Sequence, residues 1–251
     1  MKVKAFVLCG GKGKRLRPLT YYFQKVMIPI GVSQKPLLEY ILALLKKHGI
    51  REATLLAGYK HEQIKNYFGD GSKIGMKLNI VIDDPNLGGT GGAVINAYRK
   101  GEAHGYDHIL IYYGDILSNT NLSEMLKYHV EMRADLTLAI SKGYRIEVGV
   151  VDLEKGWIKS VKEKPVIDLN VGIGILAMRS EVLKLLDKMV TEAGSKSVDL
   201  MGDLLPRMLK EGRKLAAYVI KGVWYDVGSV DRYEKLDISI VKKVEEYLGW
   251  S

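Results

Sequence analysis

Cysteine is almost missing from this chain: Cys9 is the single one in 251 residues. An internal disulfide is therefore excluded, and a fold that manages without one fits a reducing, cytoplasmic compartment. The apolar stretches are all too short to span a bilayer, and Met1-Lys2-Val3-Lys4 runs straight into one of them with no cleavable signal pattern. No Pro- or Ser-rich linker divides the chain, so residues 1–251 read as a single domain. No hexapeptide repeat occurs either, so a C-terminal left-handed β-helix is not expected. With 47% apolar residues, a chain of this length can bury a sizeable core.

The charge that is present is unevenly placed. The net charge is +9, yet residues 1–60 hold twelve Lys and Arg against Glu39 and Glu52, while the rest of the chain is close to neutral. A basic region gathered around one short segment favours a polyphosphate site over a nucleic-acid surface, which spreads its cations along a face or an arm. That segment is Ala5 to Thr20. Ala5 to Cys9 has the continuous apolar character of a strand buried on both faces. Gly10, Gly11 and Gly13 follow, interleaved with Lys12, Lys14, Arg15 and Arg17. Residues without Cβ let backbone N–H groups close on a bulky anion, and cations packed among them suit a triphosphate. Two familiar phosphate loops fail here. Gly13-Lys14 is followed by Arg15 where a P-loop needs Ser or Thr, and Leu16 stands where the dinucleotide fingerprint needs a third glycine.

Beyond the loop, Leu37 to Leu45 carry helical spacing up to Gly49, Glu52 to Ala57 reads as a strand, His61 to Phe68 as a short helix and Leu78 to Ile82 as a third strand. This alternation predicts an α/β fold: a Rossmann-like, mixed but mostly parallel sheet flanked by helices, with ligands at the carboxyl ends of the strands. Gly88, Gly89, Thr90 and Gly91 open a further helix, where glycines permit a planar ring to lie flat. His108 to Tyr113 is another buried strand, ending in Gly114-Asp115. The chain then turns antiparallel, with a hairpin over Val148 to Glu163. One helix is expected over Asp199 to Glu211, and a last one runs from Val230 to about Tyr247.

The run Gly10-Gly11-Lys12-Gly13-Lys14-Arg15-Leu16-Arg17-Pro18-Leu19-Thr20, with Lys25 and Lys35-Pro36 after it, resembles the signature of the sugar-1-phosphate nucleotidyltransferases, also called nucleotide-sugar pyrophosphorylases. Lys14, Gln24 and the longer Val32-Ser33-Gln34 segment are departures from that pattern. Further matches follow in the family's order: Gly88-Gly89-Thr90-Gly91-Gly92-Ala93, Gly114-Asp115, Gly149-Val150-Val151, Glu163-Lys164-Pro165, Asn170-Val171-Gly172-Ile173 and Trp224-Tyr225-Asp226-Val227-Gly228-Ser229.

The resemblance implies an enzyme that joins an NTP to a sugar 1-phosphate, giving NDP-sugar and pyrophosphate. It assigns catalytic roles to Arg15, Lys25, Asp115 and Asp226. Nucleotide binding falls to Gly10, Gly11, Gly13, Lys14, Arg15, Gly88, Gly89, Thr90, Gly91 and Asp115. Sugar-phosphate binding falls to Gly149, Glu163, Lys164 and Asn170, in a small antiparallel part of the molecule, and Mg²⁺ to Asp115 and Asp226. The Leu87 to Ala93 segment resembles the guanylyltransferase version, acting on mannose or heptose 1-phosphate, slightly more than the thymidylyl or uridylyl version acting on glucose 1-phosphate. A non-catalytic regulatory relative is the other alternative, and the presence of all four catalytic side chains argues against it. No nucleic-acid or membrane partner is expected, and a homo-oligomer is left open.

Overall fold

Strand β1 (Val3–Cys9) is the middle of the molecule because its side chains are apolar on both faces: Ala5, Phe6 and Val7 are wholly buried. In this computed structural model, which describes residues 1–146, 148–194 and 196–250, it is followed by the basic loop and a minimal hairpin, β2 (Pro29–Ile30) and β3 (Lys35–Pro36). Next come α1 (Leu37–Lys47), β4 (Glu52–Ala57), α2 (His61–Phe68), β5 (Lys77–Ile82), α3 (Gly89–Arg99), β6 (His108–Tyr113), β7 (Ile116–Ser118) and α4 (Leu122–Glu131). The second half contains β8 (Leu136–Arg145), β9 (Val150–Glu154), β10 (Trp157–Lys162), β11 (Val166–Arg179), α5 (Val182–Ala193), α6 (Leu205–Lys210), β12 (Leu215–Val219), β13 (Trp224–Asp226), α7 (Val230–Glu234) and α8 (Ile238–Leu248).

Seven strands form one sheet in the order β12-β8-β11-β6-β1-β4-β5. Every neighbouring pair is parallel except those made by β11, which runs against both β6 and β8. The carboxyl ends of β1, β4, β5, β6, β8 and β12 therefore share one end of the sheet. Alternation along β1 divides the core. Ala5, Val7 and Cys9 pack with α1, α2, α4 and α8, whereas Phe6 packs with α3, α5 and α6 on the opposite face. Burial pushes the Cys9 thiol up, so it stays a neutral part of that packing.

The expected α/β architecture is present, and four local features differ from the sequence reading. The Val166–Arg179 strand was read only as isolated motifs; Gly172 and Gly174 interrupt its apolar pattern, and register shifts against β8 lie between Ile167 and Asn170 and between Gly172 and Leu176. Asp199 to Glu211 is not one helix: a π turn over Leu200–Leu204 precedes α6, whose first turn holds Pro206. The last helix is broken in two, because the Asp237 side chain accepts from the Ser239 N–H at 2.7 Å and starts α8 afresh. The pair β13 and β7, antiparallel to each other, was not foreseen.

One buried polar network fixes β1 to its neighbours. Lys4 is 5% exposed, and its ammonium donates to Glu102 Oε2 at 2.6 Å. The same oxygen accepts from Thr54 Oγ1 at 2.8 Å and Asn79 Nδ2 at 2.9 Å. Burial pushes the Glu102 carboxyl up, but the hydrogen bonds from Asn79, Lys4 and Thr54 and the Lys4 charge outweigh it and hold the group below its usual range. This stabilisation is present above the unfolded carboxyl pKa and is lost as pH falls through the folded one. Glu102→Ala leaves the Lys4 charge buried without a partner and is expected to cost about 3 kcal/mol in urea unfolding. A loss below about 1 kcal/mol would show the network to be dispensable.

Candidate active site

The basic loop is held in shape by three anchors. Gly13 has φ +58°, a left-handed conformation that glycine adopts without strain, and its carbonyl accepts from Leu16 N and from Thr20 Oγ1, both at 2.8 Å. Leu16, wholly buried, pins the short turn that carries Lys14 and Arg15. Gln24 is also wholly buried: its amide donates to the Cys9 carbonyl and its side-chain oxygen accepts from Val26 N at 2.6 Å. A glutamine here ties the loop back to the end of β1 and sets the turn that begins with Lys25, which explains its place in an otherwise family-like motif. From α2, Gln63 accepts from Gln24 N at 2.6 Å and donates to the Tyr22 carbonyl at 2.7 Å. Gly10, Gly11 and Lys12 reach the floor of a cleft of about 490 Å³ at the carboxyl ends of β1, β5 and β6. Gly13, Lys14 and Arg15 are not among its lining residues, and both Lys14 and Arg15 are exposed.

The two carboxylates come together through β-pairing. Register places Asp226 opposite Ile116, next to Asp115, and Val227 N donates to the Asp115 carbonyl at 2.8 Å. Lys25 Nζ is 2.5 Å from Asp115 Oδ2. Arg232 Nη1 is 3.4 Å from Asp226 Oδ2, and a Cβ on Gly228 would meet Arg15 Nη2 at 3.2 Å. Burial and then the Asp115 charge push the Asp226 carboxyl above the usual range, against the pull of Arg232, Lys25 and Arg15. Arg15, Lys25, Asp115 and Asp226, far apart in sequence, thus occupy one neighbourhood. Asp226 Oδ1 is buried and has no hydrogen-bond partner among the described residues. Two carboxylates with an orphaned oxygen suit a hard divalent cation that takes its remaining ligands from phosphates. Among the described residues no group of three or more His, Cys, Asp or Glu forms a closed metal cage.

A third carboxylate, Asp83, received no role from sequence reasoning. It follows β5 and sits in the cleft over the backbone: a Cβ on Gly10 would lie 1.9 Å from its Oδ2, and one on Gly58 2.4 Å. Its Oδ1 is buried without a partner among the described residues, and burial pushes the carboxyl up despite Lys100. Gly10 and Gly58, both lacking a Cβ, are the signal that something must approach there. Asp199 was likewise missed as a cleft residue. It accepts from Thr90 Oγ1 at 2.9 Å, while its other oxygen accepts from Met201 N and Gly202 N.

The glycines of the 88–91 segment divide into two sets. Gly89 and Thr90 line the cleft. Gly88 and Gly91 bond instead to the segment before the π turn, with Val198 N donating to the Gly88 carbonyl at 3.1 Å and Gly91 N donating to the Val198 carbonyl at 2.8 Å. The residues read as sugar-phosphate ligands lie outside that cleft, toward the hairpin of β9 and β10, which leaves the sheet at the carboxyl end of β8 and is exposed on both faces. Gly149 and Glu163 face each other there, a Cβ on the former meeting Glu163 Oε2 at 3.2 Å. Lys164 has φ +45°, and Asn170, exposed, pairs with Lys142 across β11 and β8.

A cationic glycine loop near paired carboxylates at the carboxyl end of a mostly parallel sheet is an arrangement suited to a polyphosphate. Residues 4–242 match the family model described as nucleotidyl transferase, and the chain belongs to that family. Its relatives are sugar-1-phosphate nucleotidyltransferases of several specificities. It is 31% identical to a D-glycero-alpha-D-manno-heptose 1-phosphate guanylyltransferase of Aneurinibacillus thermoaerophilus over 98% of this chain and 100% of the relative. It is 30% identical to a UTP–glucose-1-phosphate uridylyltransferase of Synechocystis, over 92% of this chain and 61% of that protein. Identity is 28% to a mannose-1-phosphate guanylyltransferase of Mycobacterium tuberculosis, over 97% and 66%. The chain thus spans the full length of the first and under two thirds of the other two. The fold matches a crystal structure from Bacillus anthracis, provisionally named a glucose-1-phosphate thymidylyltransferase and solved with sucrose, at TM-score 0.75 and 20% identity over 95% of both chains.

A raised carboxyl pKa means that the charged form costs stability at neutral pH, a cost relieved as pH falls through the folded value toward the unfolded one. In the protein without ligands, Asp226→Asn is therefore expected to raise the unfolding free energy at pH 7, by about 0.5–2 kcal/mol, the usual yield of relaxing a functional site. A destabilised variant would mean that the Arg232 pair outweighs the crowding of the two carboxylates.

Proposed function

We propose that the protein is a Mg²⁺-dependent guanylyltransferase that joins GTP to a sugar 1-phosphate of the mannose or heptose type, releasing pyrophosphate. The reaction is supported above all by the convergence of Asp115 and Asp226 beside Lys25 and the glycine loop. A sugar-phosphate oxygen attacks the α-phosphorus in line; the new P–O bond forms as the bond to the β-phosphate oxygen breaks, and its electron pair leaves with pyrophosphate. The attacking group is already ionised at neutral pH, so no general base is required.

Within that reaction the chain's own groups position and neutralise. Backbone N–H groups of Gly10, Gly11 and Gly13, with Lys12, Lys14 and Arg15, hold the departing phosphates. Lys25 faces the α-phosphate, and Lys164 receives the incoming sugar phosphate while Glu163 and Asn170 take sugar hydroxyls beside Gly149. Asp115 and Asp226 would hold the cation, which when bound would neutralise charge on the phosphates.

The choice of base rests on Asp83. An unpartnered carboxylate over a glycine floor calls for two adjacent donors on one edge of a ring, which guanine offers as N1–H and N2–H₂. Uracil and thymine instead set carbonyl oxygens on either side of their single N–H, and a buried carboxylate repels these. The full-length similarity to a guanylyltransferase supports the same choice.

Pyrophosphate release from GTP, UTP, dTTP, CTP and ATP against a panel of sugar 1-phosphates tests the reading, with GTP expected to lead. Asp83→Asn replaces one acceptor by a donor, so GTP turnover is expected to fall about 10- to 100-fold, while xanthosine triphosphate, with an acceptor beside its N1–H, is used better than by the parent. A parent enzyme that prefers UTP or dTTP, or a variant with an unchanged GTP preference, would overturn the assignment.

A further inference from the structure

The far end of the sheet carries a second concentration of cations. His108 opens β6, Asp135 precedes β8, Lys214 precedes β12 and Arg179 ends the antiparallel β11, so all four meet at the amino-terminal end of the parallel strands. With Arg133 and Arg213 they line a concavity of about 640 Å³. His108 at one end of β6 lines it and Tyr113 at the other end lines the catalytic cleft, roughly 16 Å away at the rise of an extended strand. An anion bound here cannot share the catalytic loop.

Four cations face one carboxylate, and that carboxylate is committed: Asp135 Oδ2 accepts from Lys214 N at 2.9 Å and Oδ1 lies 4.0 Å from Arg179 Nη1. Among the described residues, the guanidinium groups of Arg133 and Arg213 and the Lys214 ammonium have no hydrogen-bond or ion-pair partner. Arg133 adds an independent observation. It follows α4 with φ +50°, a left-handed position where glycine or asparagine costs less. An arginine in that conformation costs stability that glycine would not, and this one lines the concavity.

Two hydrogen-bonded histidines line the same concavity. A chain of hydrogen bonds runs from His108 Nδ1 to His129 Nε2 at 3.1 Å, and from His129 Nδ1 to Thr137 Oγ1 at 2.7 Å. Burial holds His108 below its ordinary value; Asp107 pulls the other way, and Arg179 and the amino terminus add to the depression. His129 is pushed down to about 4 by burial, then by His108 and Arg179, against Asp135.

We infer that this concavity is a second anion site, built for a small metabolite carrying two or more phosphoryl charges and read by Arg133, Arg213 and Lys214. Arginine forks match phosphoryl oxygens, and the only aromatic rings in the lining are His108 and the fully buried His129, so the phosphoryl groups are what the site reads. The inference does not rest on the reaction proposed above.

Proton NMR of the histidine rings tests it on the full-length protein, the His108 signal being assigned with His108→Gln. Titration with inorganic pyrophosphate should shift the His108 resonance saturably, and inorganic phosphate should do so at least about tenfold more weakly. Arg133→Gly and Arg213→Ala should each weaken the pyrophosphate response about tenfold, with transferase activity unchanged. Arg133→Gly should also melt no lower than the parent, because glycine relieves the left-handed strain. No saturable His108 shift up to the order of 10 mM pyrophosphate, equal affinity for phosphate, or an undiminished response in both variants would overturn the inference.

Discussion

Two carboxylates held side by side repel, and the molecule is arranged to keep them there. The pairing of β13 with β7, closed by the Val227 N–H on the Asp115 carbonyl, brings Asp226 from near the end of the chain to the strand end that presents Asp115. Backbone hydrogen bonds carry this approach, while Lys25, Arg232 and Arg15 moderate its charge. The site retains an excess of unrelieved negative potential on Asp226 that a divalent cation removes.

That constraint explains the division of labour along the sheet. Helices on both faces bury β1 and its neighbours, leaving the two sheet ends as the places where polar groups can act. At the carboxyl end, a loop pinned by Gly13, Leu16 and Gln24 lays cations beside the acidic pair, and Asp83 waits over a glycine floor. At the other end, arginines gather around two hydrogen-bonded histidines, and Asp135 is the one carboxylate in the lining of that concavity. The antiparallel β11 connects these ends, running from Asn170 near the carboxyl end of β8 to Arg179 at the second cluster.

Much of this was legible from local pattern. The strands Glu52–Ala57 and His108–Tyr113 and the helix His61–Phe68 have the expected bounds, since their apolar spacing and flanking glycines agree. Asp115 and Asp226 were marked by motifs alone; their juxtaposition needed the β13 and β7 pair, two strands of three residues too short to carry a periodic signal. The long β11 was obscured by glycines that the bulges require. Asp83 was invisible because an aspartate before Asp-Pro reads as a turn former; its burial is a tertiary fact, set by Gly10 and Gly58 from other elements. The Arg133 cluster comes from four separate connections, so no window of sequence contains it.

The central claim is that Asp115 and Asp226 share one divalent ion. Electron paramagnetic resonance of Mn²⁺ titrated into the protein with GTP measures this directly. The account predicts one bound Mn²⁺ per chain whose affinity falls at least about 100-fold in Asp115→Asn and in Asp226→Asn alike, as expected when a shared carboxylate ligand is lost. Parent-like Mn²⁺ binding in both variants would contradict it.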